Sequence, residues 1–164
     1  MAASPEEQQL ALSRQGNVYV ITLTGTPHKA NVFTIPLLNR LIRLLDEVEA
    51  KTPCSLIFVA KGTKFFSAGF DLKALTGTSH NKANSNKQGD EGARSKTPQG
   101  QGLVFLAWKV LARLLVFPVP TITVFNGHAF GLGLFLGLAC DHRIMVANPQ
   151  AFLCLPEITI GLPL

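Results

Sequence analysis

The stretch that decides the fold of this chain is NGHAFGLGLFLGLACD, residues 126–141, which follows the β-branched and aromatic segment PTITVF, residues 120–125. A short apolar run before an Asn-Gly pair predicts a buried strand that ends in a turn. The glycines that follow predict a helix whose first turn approaches another backbone or a ligand closely, because glycine has no side chain. The first amides of a helix have no intrahelical partner, so we expect this helix start to suit an anion or a developing oxyanion.

The same region raises the alternative of a membrane span, because no side chain from Leu114 to Cys140 is formally charged. That run is longer than the roughly 20 apolar residues that cross a bilayer. However, Pro118, Pro120 and the Asn126-Gly127 pair each interrupt a continuous helix. The sequence therefore favours the buried strand, turn and helix of an α/β core, and we expect no membrane span.

The composition is typical of one globular domain over residues 1–164. Hydrophobic residues make up 47% of the chain and charged residues 15%, which excludes a wholly disordered protein. The net charge is +5, but the basic residues are scattered and show no stripe, so we expect no nucleic-acid partner. Three separated cysteines, Cys54, Cys140 and Cys154, lie in apolar surroundings and are expected to be reduced core residues.

Hydrophobic periodicity predicts an alternation of strands and helices. Leucines at helical spacing predict an amphipathic helix from Ile35 to Ala50, and a further helix is predicted from Leu103 to Val116. Besides the strand before Asn126, continuous β-forming runs predict strands at Val18–Leu23, Ser55–Ala60, His142–Val146 and Ala151–Cys154. We expect the first of these strands to open the domain. The order indicates an α/β fold with parallel pairing.

An insertion is predicted at residues 77–102. This segment has no aliphatic side chain larger than alanine and is rich in Asn, Ser, Lys, Gln and Gly. Such a composition buries too little apolar surface to offset the entropy of ordering the chain. We therefore expect a disordered excursion within a single domain, with regular structure resuming at Leu103.

A second backbone-amide site is predicted in the segment KGTKFFSAGFDLK, residues 61–73. Here a strand leads into a loop of small residues around Gly69 and a short helix begins at Asp71. A loop of this kind presents backbone amides at its end, and Phe70 is the expected donor. A lone acid, Glu157, follows downstream in the motif Leu155-Pro156-Glu157. The two amide sites and this acid form one candidate constellation.

Four segments of the chain resemble, in order, the motifs of the crotonase superfamily, the enoyl-CoA hydratase and isomerase family. These segments are FSAGFDL (66–72), NGHAFGLG (126–133), CDHR (140–143) and LPEITIGL (155–162). The resemblance runs from about Val18 to the last residue. It implies a crotonase-like ββα spiral, and because family members are longer, it implies a domain that is incomplete at the C-terminus and lacks the C-terminal helical segment. It also implies homotrimers or hexamers for full-length members.

The resemblance implies an oxyanion hole formed by the backbone amides of Phe70 and Leu132, which would hold the thioester oxygen of an acyl-CoA. Each such donor is worth roughly 10²- to 10³-fold in rate. The hydratases of the family use two glutamates, of which the second matches Glu157 and the first matches Phe135, which cannot transfer a proton. The resemblance further implies substrate-binding positions at Ala68, Phe70, Asp71, Leu72, Lys73 and Gly131.

A single carboxylate can remove a proton from C2 of a 3-enoyl thioester and return it to C4. The chain therefore resembles the Δ3,Δ2-enoyl-CoA isomerase branch, and most of all its plant-type peroxisomal members, which implies β-oxidation of unsaturated fatty acids in the peroxisome. The mitochondrion and the cytosol are alternative locations. No cofactor is expected beyond the CoA of the substrate. The alternative functions are an enoyl-CoA hydratase or another crotonase enzyme, and a non-catalytic protein that binds CoA or modulates assembly.

Two other constellations are weaker. Ser67, His128 and Asp141 supply the residue types of a catalytic triad, but no Gly-x-Ser-x-Gly elbow surrounds Ser67, so small-residue packing explains it better. Cys140, Asp141 and His142 are adjacent, and neighbouring residues on a strand point to opposite faces, so we expect no metal site. Asp141 is expected to form hydrogen bonds at a helix end or strand start.

Overall fold

The computed structural model describes residues 8–25, 30–76 and 98–157. The helices in these ranges are α1 (Ile35–Glu49), α2 (Leu72–Thr76), α3 (Pro98–Leu115) and α4 (Leu132–Leu138). The strands are β1 (Leu10–Gln15), β2 (Val18–Leu23), β3 (Val32–Phe33), β4 (Ser55–Ala60), β5 (Phe65–Ser67), β6 (Gly69–Phe70), β7 (Thr121–Phe125), β8 (His128–Phe130), β9 (His142–Met145) and β10 (Leu153–Cys154). The α/β class predicted from the sequence is confirmed.

The main sheet orders its five strands β1-β2-β4-β7-β9. Strands β2, β4, β7 and β9 run parallel, as predicted, whereas β1 pairs antiparallel with β2. The prediction that β2 opens the domain is wrong, because β1 precedes it. This edge strand buries only Leu10 and exposes Arg14, so its sequence lacks the continuous apolar run by which β2 and β4 are recognised.

Helix α1 forms where its leucine spacing predicts it. Thr34 caps the helix, since its Oγ1 accepts a hydrogen bond of 3.3 Å from the amide of Leu37. On the exposed side of α1, Asp46 and Glu49 both accept hydrogen bonds from Arg113 of α3. The distance between Arg113 Nη1 and Asp46 Oδ1 is 2.5 Å. The apolar side of α1 buries six side chains in the core: Leu37, Leu38, Leu41, Leu44, Leu45 and Val48.

Two small parallel sheets lie beside the main one, with strand orders β10-β8-β5 and β3-β6. The sequence does not predict β3, β5, β6 and β8, because two or three residues are too few to show an alternating pattern. Strand β8 separates the Asn126-Gly127 pair from α4, so the expectation that the turn leads directly into the glycine-rich helix is wrong. The predicted strand at Ala151–Cys154 is shorter than expected and begins at Leu153.

Helix α3 begins at Pro98, earlier than the predicted Leu103. The predicted disordered insertion is therefore wrong for residues 98–102, while residues 77–97 lie outside the described part of the chain. Proline suits the first position of a helix because its missing amide hydrogen has no partner there in any case. Gly100 and Leu103 are buried on the same helix, and this tertiary packing offsets a composition that is typical of a loop.

Asp141 forms the hydrogen bonds expected of it at the start of β9. Its Oδ2 accepts from the amide and the hydroxyl of Thr121, at 2.8 Å each, and its own amide donates to Thr121 Oγ1 at 3.0 Å. The amide and hydroxyl of Thr121 hold the pKa of the Asp141 carboxyl below its usual value. Asp141 therefore joins the segment after α4 to the first residue of β7.

The described residues include no helix that has both the length and the apolar character needed to cross a membrane. Within the same ranges, no three or more His, Cys, Asp or Glu side chains gather where they could hold a metal ion. Cys54, Cys140 and Cys154 are free thiols. Burial raises the pKa of the Cys140 thiol, which keeps this side chain protonated and suits it to a core position.

Candidate active site

Helix α4 begins without a side-chain cap. The residue at its N-cap is Gly131, whose φ of 49° lies in a region that favours glycine, and no side chain there accepts a hydrogen bond from the first turn. The amides in the first turn of a helix also have no intrahelical acceptor. The amide of Leu132, the first residue of α4, is therefore left to a partner outside the helix.

The backbone of Gly69 lies against this helix start. A Cβ atom on Gly69 would lie 2.8 Å from Phe130 O and 3.4 Å from Leu132 N, and the φ of Gly69 is 86°. Glycine is therefore required here both for space and for conformation. Because Phe70 directly follows Gly69, the two amides predicted for the oxyanion hole, those of Phe70 and Leu132, belong to backbone segments in close contact.

Glu157 packs beneath the same helix start. Its side chain is buried, with 5% of the residue exposed, and a Cβ atom on Gly131 would lie only 2.5 Å from Glu157 Oε1. The other carboxylate oxygen, Oε2, is buried with no hydrogen-bond partner among the described residues. A buried carboxylate oxygen without a partner is costly, and such groups concentrate at sites where a protein performs chemistry.

Two cavities meet at this point, and both are lined by Phe70 and Glu157. The larger cavity, which we call the apolar cavity, has a volume of about 510 Å³ and lies against α2, α3 and α4. Leu132 and Phe135 line it from α4. Its other lining residues are Leu75, Gly100, Gln101, Val104, Phe105, Ala107, Trp108, Leu111 and Leu155.

The second cavity, which we call the outer cavity, has a volume of about 480 Å³. The six residues predicted to bind substrate all line it, namely Ala68, Phe70, Asp71, Leu72, Lys73 and Gly131. Val32, Gly69 and Pro156 complete its wall together with Glu157. The structure thus gathers the predicted substrate positions on one side of Glu157 and an apolar space on the other.

Asn31 is not predicted from the sequence as a site residue, and Ser67 is predicted to serve packing alone. Ser67 is fully buried, and its Oγ donates to Asn31 O at 2.7 Å and accepts from Gly69 N at 3.0 Å. Its packing is also tight, since a Cβ on Gly133 would lie 2.6 Å from Ser67 Cβ. A signal for Asn31 exists in its residue type, because asparagine is enriched among non-glycine residues with positive φ, and Asn31 has a φ of 51°.

The triad residue types are not brought together. Ser67 is bonded to Asn31 and Gly69, whereas Asp141 accepts from Thr121. His128 Nδ1 accepts from the amide of Phe152 at 3.3 Å, within an aromatic group that also includes Phe65 and Phe130. A Ser-His-Asp nucleophile is therefore excluded for these three residues, as expected from the sequence.

The comparisons with known proteins identify the family of the chain. The family model described as enoyl-CoA hydratase/isomerase matches residues 18–163. The chain is 33% identical over 153 residues to enoyl-CoA delta isomerase 2, peroxisomal, of Arabidopsis thaliana, covering 92% of this chain and 57% of that protein. It is 32% identical over 154 residues to 2,3-dehydroadipyl-CoA hydratase of Escherichia coli (strain K12), covering 94% and 52%.

The fold is similar to the crystal structure of an enoyl-CoA hydratase/isomerase family protein from Pseudomonas syringae, with a TM-score of 0.78 and 25% identity. That match covers 97% of this chain and 59% of the other, so the chain spans little more than half the length of these relatives. Isomerases and hydratases match it at similar identity. From its motifs, its fold and the family model, the chain belongs to the enoyl-CoA hydratase/isomerase family of the crotonase superfamily.

Proposed function

We propose that the protein is a Δ3,Δ2-enoyl-CoA isomerase that acts on fatty acyl-CoA in the β-oxidation of unsaturated fatty acids. The observation that carries the proposal is the pairing of one buried carboxylate, Glu157, with an aromatic side chain, Phe135, in the apolar cavity. Phe135 stands where hydratases that the chain resembles have their first glutamate. Among the described residues that line the apolar cavity, Glu157 is the only acid.

The reaction requires one proton shuttle and one site for negative charge. The Glu157 carboxylate takes a proton from C2 of the 3-enoyl thioester, and the electron pair released moves into the thioester carbonyl to form a dienolate. The amides of Phe70 and Leu132 hold the oxygen on which the charge develops. The protonated Glu157 then returns the proton to C4, so the double bond moves from C3–C4 to C2–C3 and the carboxylate is regenerated.

The two cavities suit the two ends of such a substrate. An acyl chain is apolar and matches the apolar cavity, which Phe135 lines. The CoA portion is polar and is placed in the outer cavity, whose wall carries the charged residues Lys73 and Asp71. The reacting carbons would then lie at Phe70 and Glu157, where the cavities meet. Hydration would require a second group to activate or protonate water, and Phe135 offers none.

The proposal is tested by measuring double-bond shift in a 3-enoyl-CoA for the wild type and for Glu157→Gln. We expect kcat to fall about 10²- to 10⁴-fold in Glu157→Gln, because the amide keeps the shape of the side chain but cannot accept the proton. Glu47→Gln, on the exposed side of α1, is the matched control and should retain wild-type turnover. Turnover that survives in Glu157→Gln would contradict the proposed base.

The alternative functions give different results in the same experiment. A hydratase would add water to a 2-enoyl-CoA and leave the 3-enoyl-CoA unchanged. A non-catalytic CoA-binding or assembly-modulating protein would bind acyl-CoA, measured by calorimetry, without converting either substrate. Exchange of a C2 proton for deuterium from solvent, without either product, would indicate another crotonase reaction that begins with the same enolate.

We also propose a peroxisomal location, which the name of the Arabidopsis relative supports, and assembly into a homotrimer or hexamer, which follows from the resemblance to the family. Fluorescence microscopy of a tagged full-length protein and analytical ultracentrifugation test these two points. No cofactor is proposed, because Glu157 both takes and returns the proton. Retention of turnover after exhaustive dialysis against a chelator would support this.

A further inference from the structure

A buried hydrogen-bonded chain runs behind the Phe70 amide. Asn31 Nδ2 donates to Phe66 O at 2.9 Å, and Asn31 O accepts from Ser67 Oγ at 2.7 Å. Ser67 Oγ in turn accepts from Gly69 N at 3.0 Å. Asn31 and Ser67 are 4% and 0% exposed, so neither side chain contacts solvent or lies among the residues that line the two cavities.

This chain fixes the direction of the amide that precedes Phe70. The amides on either side of Phe70 both have protein acceptors, since Gly69 N donates to Ser67 Oγ and Asp71 N donates to Phe33 O at 3.1 Å. Successive amides along an extended segment point to opposite sides. With its two neighbours directed towards β3 and Ser67, the Phe70 amide is directed away from β3.

The backbone conformation of Asn31 allows it to take part in this hydrogen-bonded chain. Its φ of 51° lies in a region that is costly for most residues but tolerated by asparagine. This conformation allows one residue to bond β5 with its side-chain amide while its carbonyl oxygen meets Ser67. Gly133 leaves room for Ser67, because a Cβ atom there would lie 2.6 Å from Ser67 Cβ and 2.9 Å from Ser67 Oγ.

We propose that Asn31 and Ser67 are positioning residues that hold the Phe70 amide in the direction required to bind the thioester oxygen. This inference rests on the proposed role of that amide in the isomerase. Ser67 acts directly, through Gly69 N, and Asn31 acts one step further away, through Ser67 and Phe66. Without the Ser67 hydroxyl, Gly69 N and Asn31 O would both be buried without their partner. The Ala68-Gly69 peptide would then rotate to find another acceptor, and the attached Phe70 amide would turn with it.

Infrared spectroscopy of a bound ligand tests the proposal independently of turnover. The probe is butanoyl-CoA labelled with ¹³C at the thioester carbon, added to the wild type, Ser67→Ala and Asn31→Gly. We expect the carbonyl stretch to move to lower wavenumber in the wild type and to lose more than half of this shift in Ser67→Ala. Asn31→Gly keeps the positive φ and the carbonyl oxygen but loses the Nδ2 bond, so its loss should be smaller.

Turnover gives a second readout. Misdirection of one oxyanion donor should lower kcat of Ser67→Ala about 10- to 100-fold, with a smaller change in KM, because the amide matters most when the charge develops. Thr123→Val is the matched control, since Thr123 is also fully buried and, among the described residues, its hydroxyl donates to Cys140 Sγ alone, at 3.1 Å. For Thr123→Val, kcat and the carbonyl frequency of the bound thioester should remain those of the wild type, even if this variant loses as much stability as Ser67→Ala.

A wild-type carbonyl shift in folded Ser67→Ala would overturn the proposal, and if Ser67→Ala does not fold, a wild-type shift and kcat in Asn31→Gly would overturn it. A wild type that shifts the carbonyl but does not move the double bond contradicts the isomerase proposal alone. In that case a reduced shift in Ser67→Ala still supports the positioning role.

Discussion

Helices α1 and α4 begin in opposite ways. At the start of α1, the side chain of Thr34 accepts a hydrogen bond from the amide of Leu37, so a residue next to the helix caps its first turn. At the start of α4, Gly131 offers no side chain, and the first turn is left open beside Glu157 and Gly69. A capped helix start contributes to stability, whereas an uncapped one keeps its amides available for binding.

The open start of α4 depends on contacts elsewhere along the helix. A Cβ on Gly137 would lie 2.1 Å from Phe125 Cζ, and a Cβ on Gly133 would lie 2.6 Å from Ser67 Cβ. After the C-terminal end, Arg143 Nη1 donates to Cys140 O at 2.5 Å and to Gly137 O at 3.4 Å. Close backbone packing and a closed C-terminal end therefore hold α4 in place, and its N-terminal amides are not needed for that purpose.

Among the variants that alter a helix start, the largest effect is expected from Gly131→Ala, which adds a methyl group at the open start of α4. The new Cβ would lie 2.5 Å from Glu157 Oε1, so the carboxylate must move, and kcat should fall about 10²-fold. Gly16→Ala is the matched control, because Gly16 also has a positive φ of 61° but has no atom within 4 Å of such a Cβ. Each variant bears a backbone strain of about 1–3 kcal/mol, measured by urea unfolding. Equal kcat in the two variants would contradict the placement of Glu157.

A smaller effect, on stability alone, is expected at the closed start. Thr34→Ala removes the oxygen that accepts from Leu37 N, and the free energy of unfolding should fall by about 1 kcal/mol. Thr34→Ser keeps a hydroxyl and should lose much less. Turnover per folded molecule should be unchanged in both variants, and a tenfold drop in kcat for Thr34→Ala would show that the two helix starts are not functionally distinct.

The smallest effect is expected on the pH dependence of stability, from Asp141, which follows the C-terminal end of α4. The bonds from Thr121 lower the pKa of Asp141 in the folded protein, so this carboxylate stabilises the fold above the unfolded pKa of about 3.9 and loses that contribution as the pH falls through the folded value. Urea midpoints of the wild type should therefore decline as the pH is lowered below about 4. The decline should be shallower in Asp141→Asn and unchanged in Glu47→Gln. Identical declines in the wild type and Asp141→Asn would show that the Asp141 carboxylate does not contribute to the pH dependence of stability.

Helix α1 was predictable because its leucines repeat at helical spacing, so the helix is determined by local sequence. Strands β4 and β7 were predictable for a similar reason, as continuous apolar runs. Strand β1 was not, since an edge strand alternates weakly and exposes most of its side chains. The start of α3 was missed because its order comes from packing against distant residues, which composition does not record.

In the candidate site, too, the features set by local sequence could be predicted, and those set by contacts between distant residues could not. The residues Phe70, Leu132 and Glu157 could be predicted from motifs, because each motif is contiguous in sequence. The hydrogen bonds of Asn31 and Ser67 could not be predicted, because they join residues that are distant in sequence. Ser67 and Asn31, for example, are 36 positions apart. The contact between Gly131 and Glu157 depends on a backbone angle, and no pattern of side chains reports it.

The junction of the two cavities at Phe70 and Glu157 also bears on the design of ligands for this chain. A small apolar fragment and a small polar fragment can occupy the apolar and the outer cavity separately, because each cavity has its own remaining wall. Joining the two fragments by a short rigid linker that passes Glu157 makes the second binding event intramolecular. The linker would pass the junction of the two cavities, where Phe135 lines the apolar cavity and Gly131 lines the outer cavity.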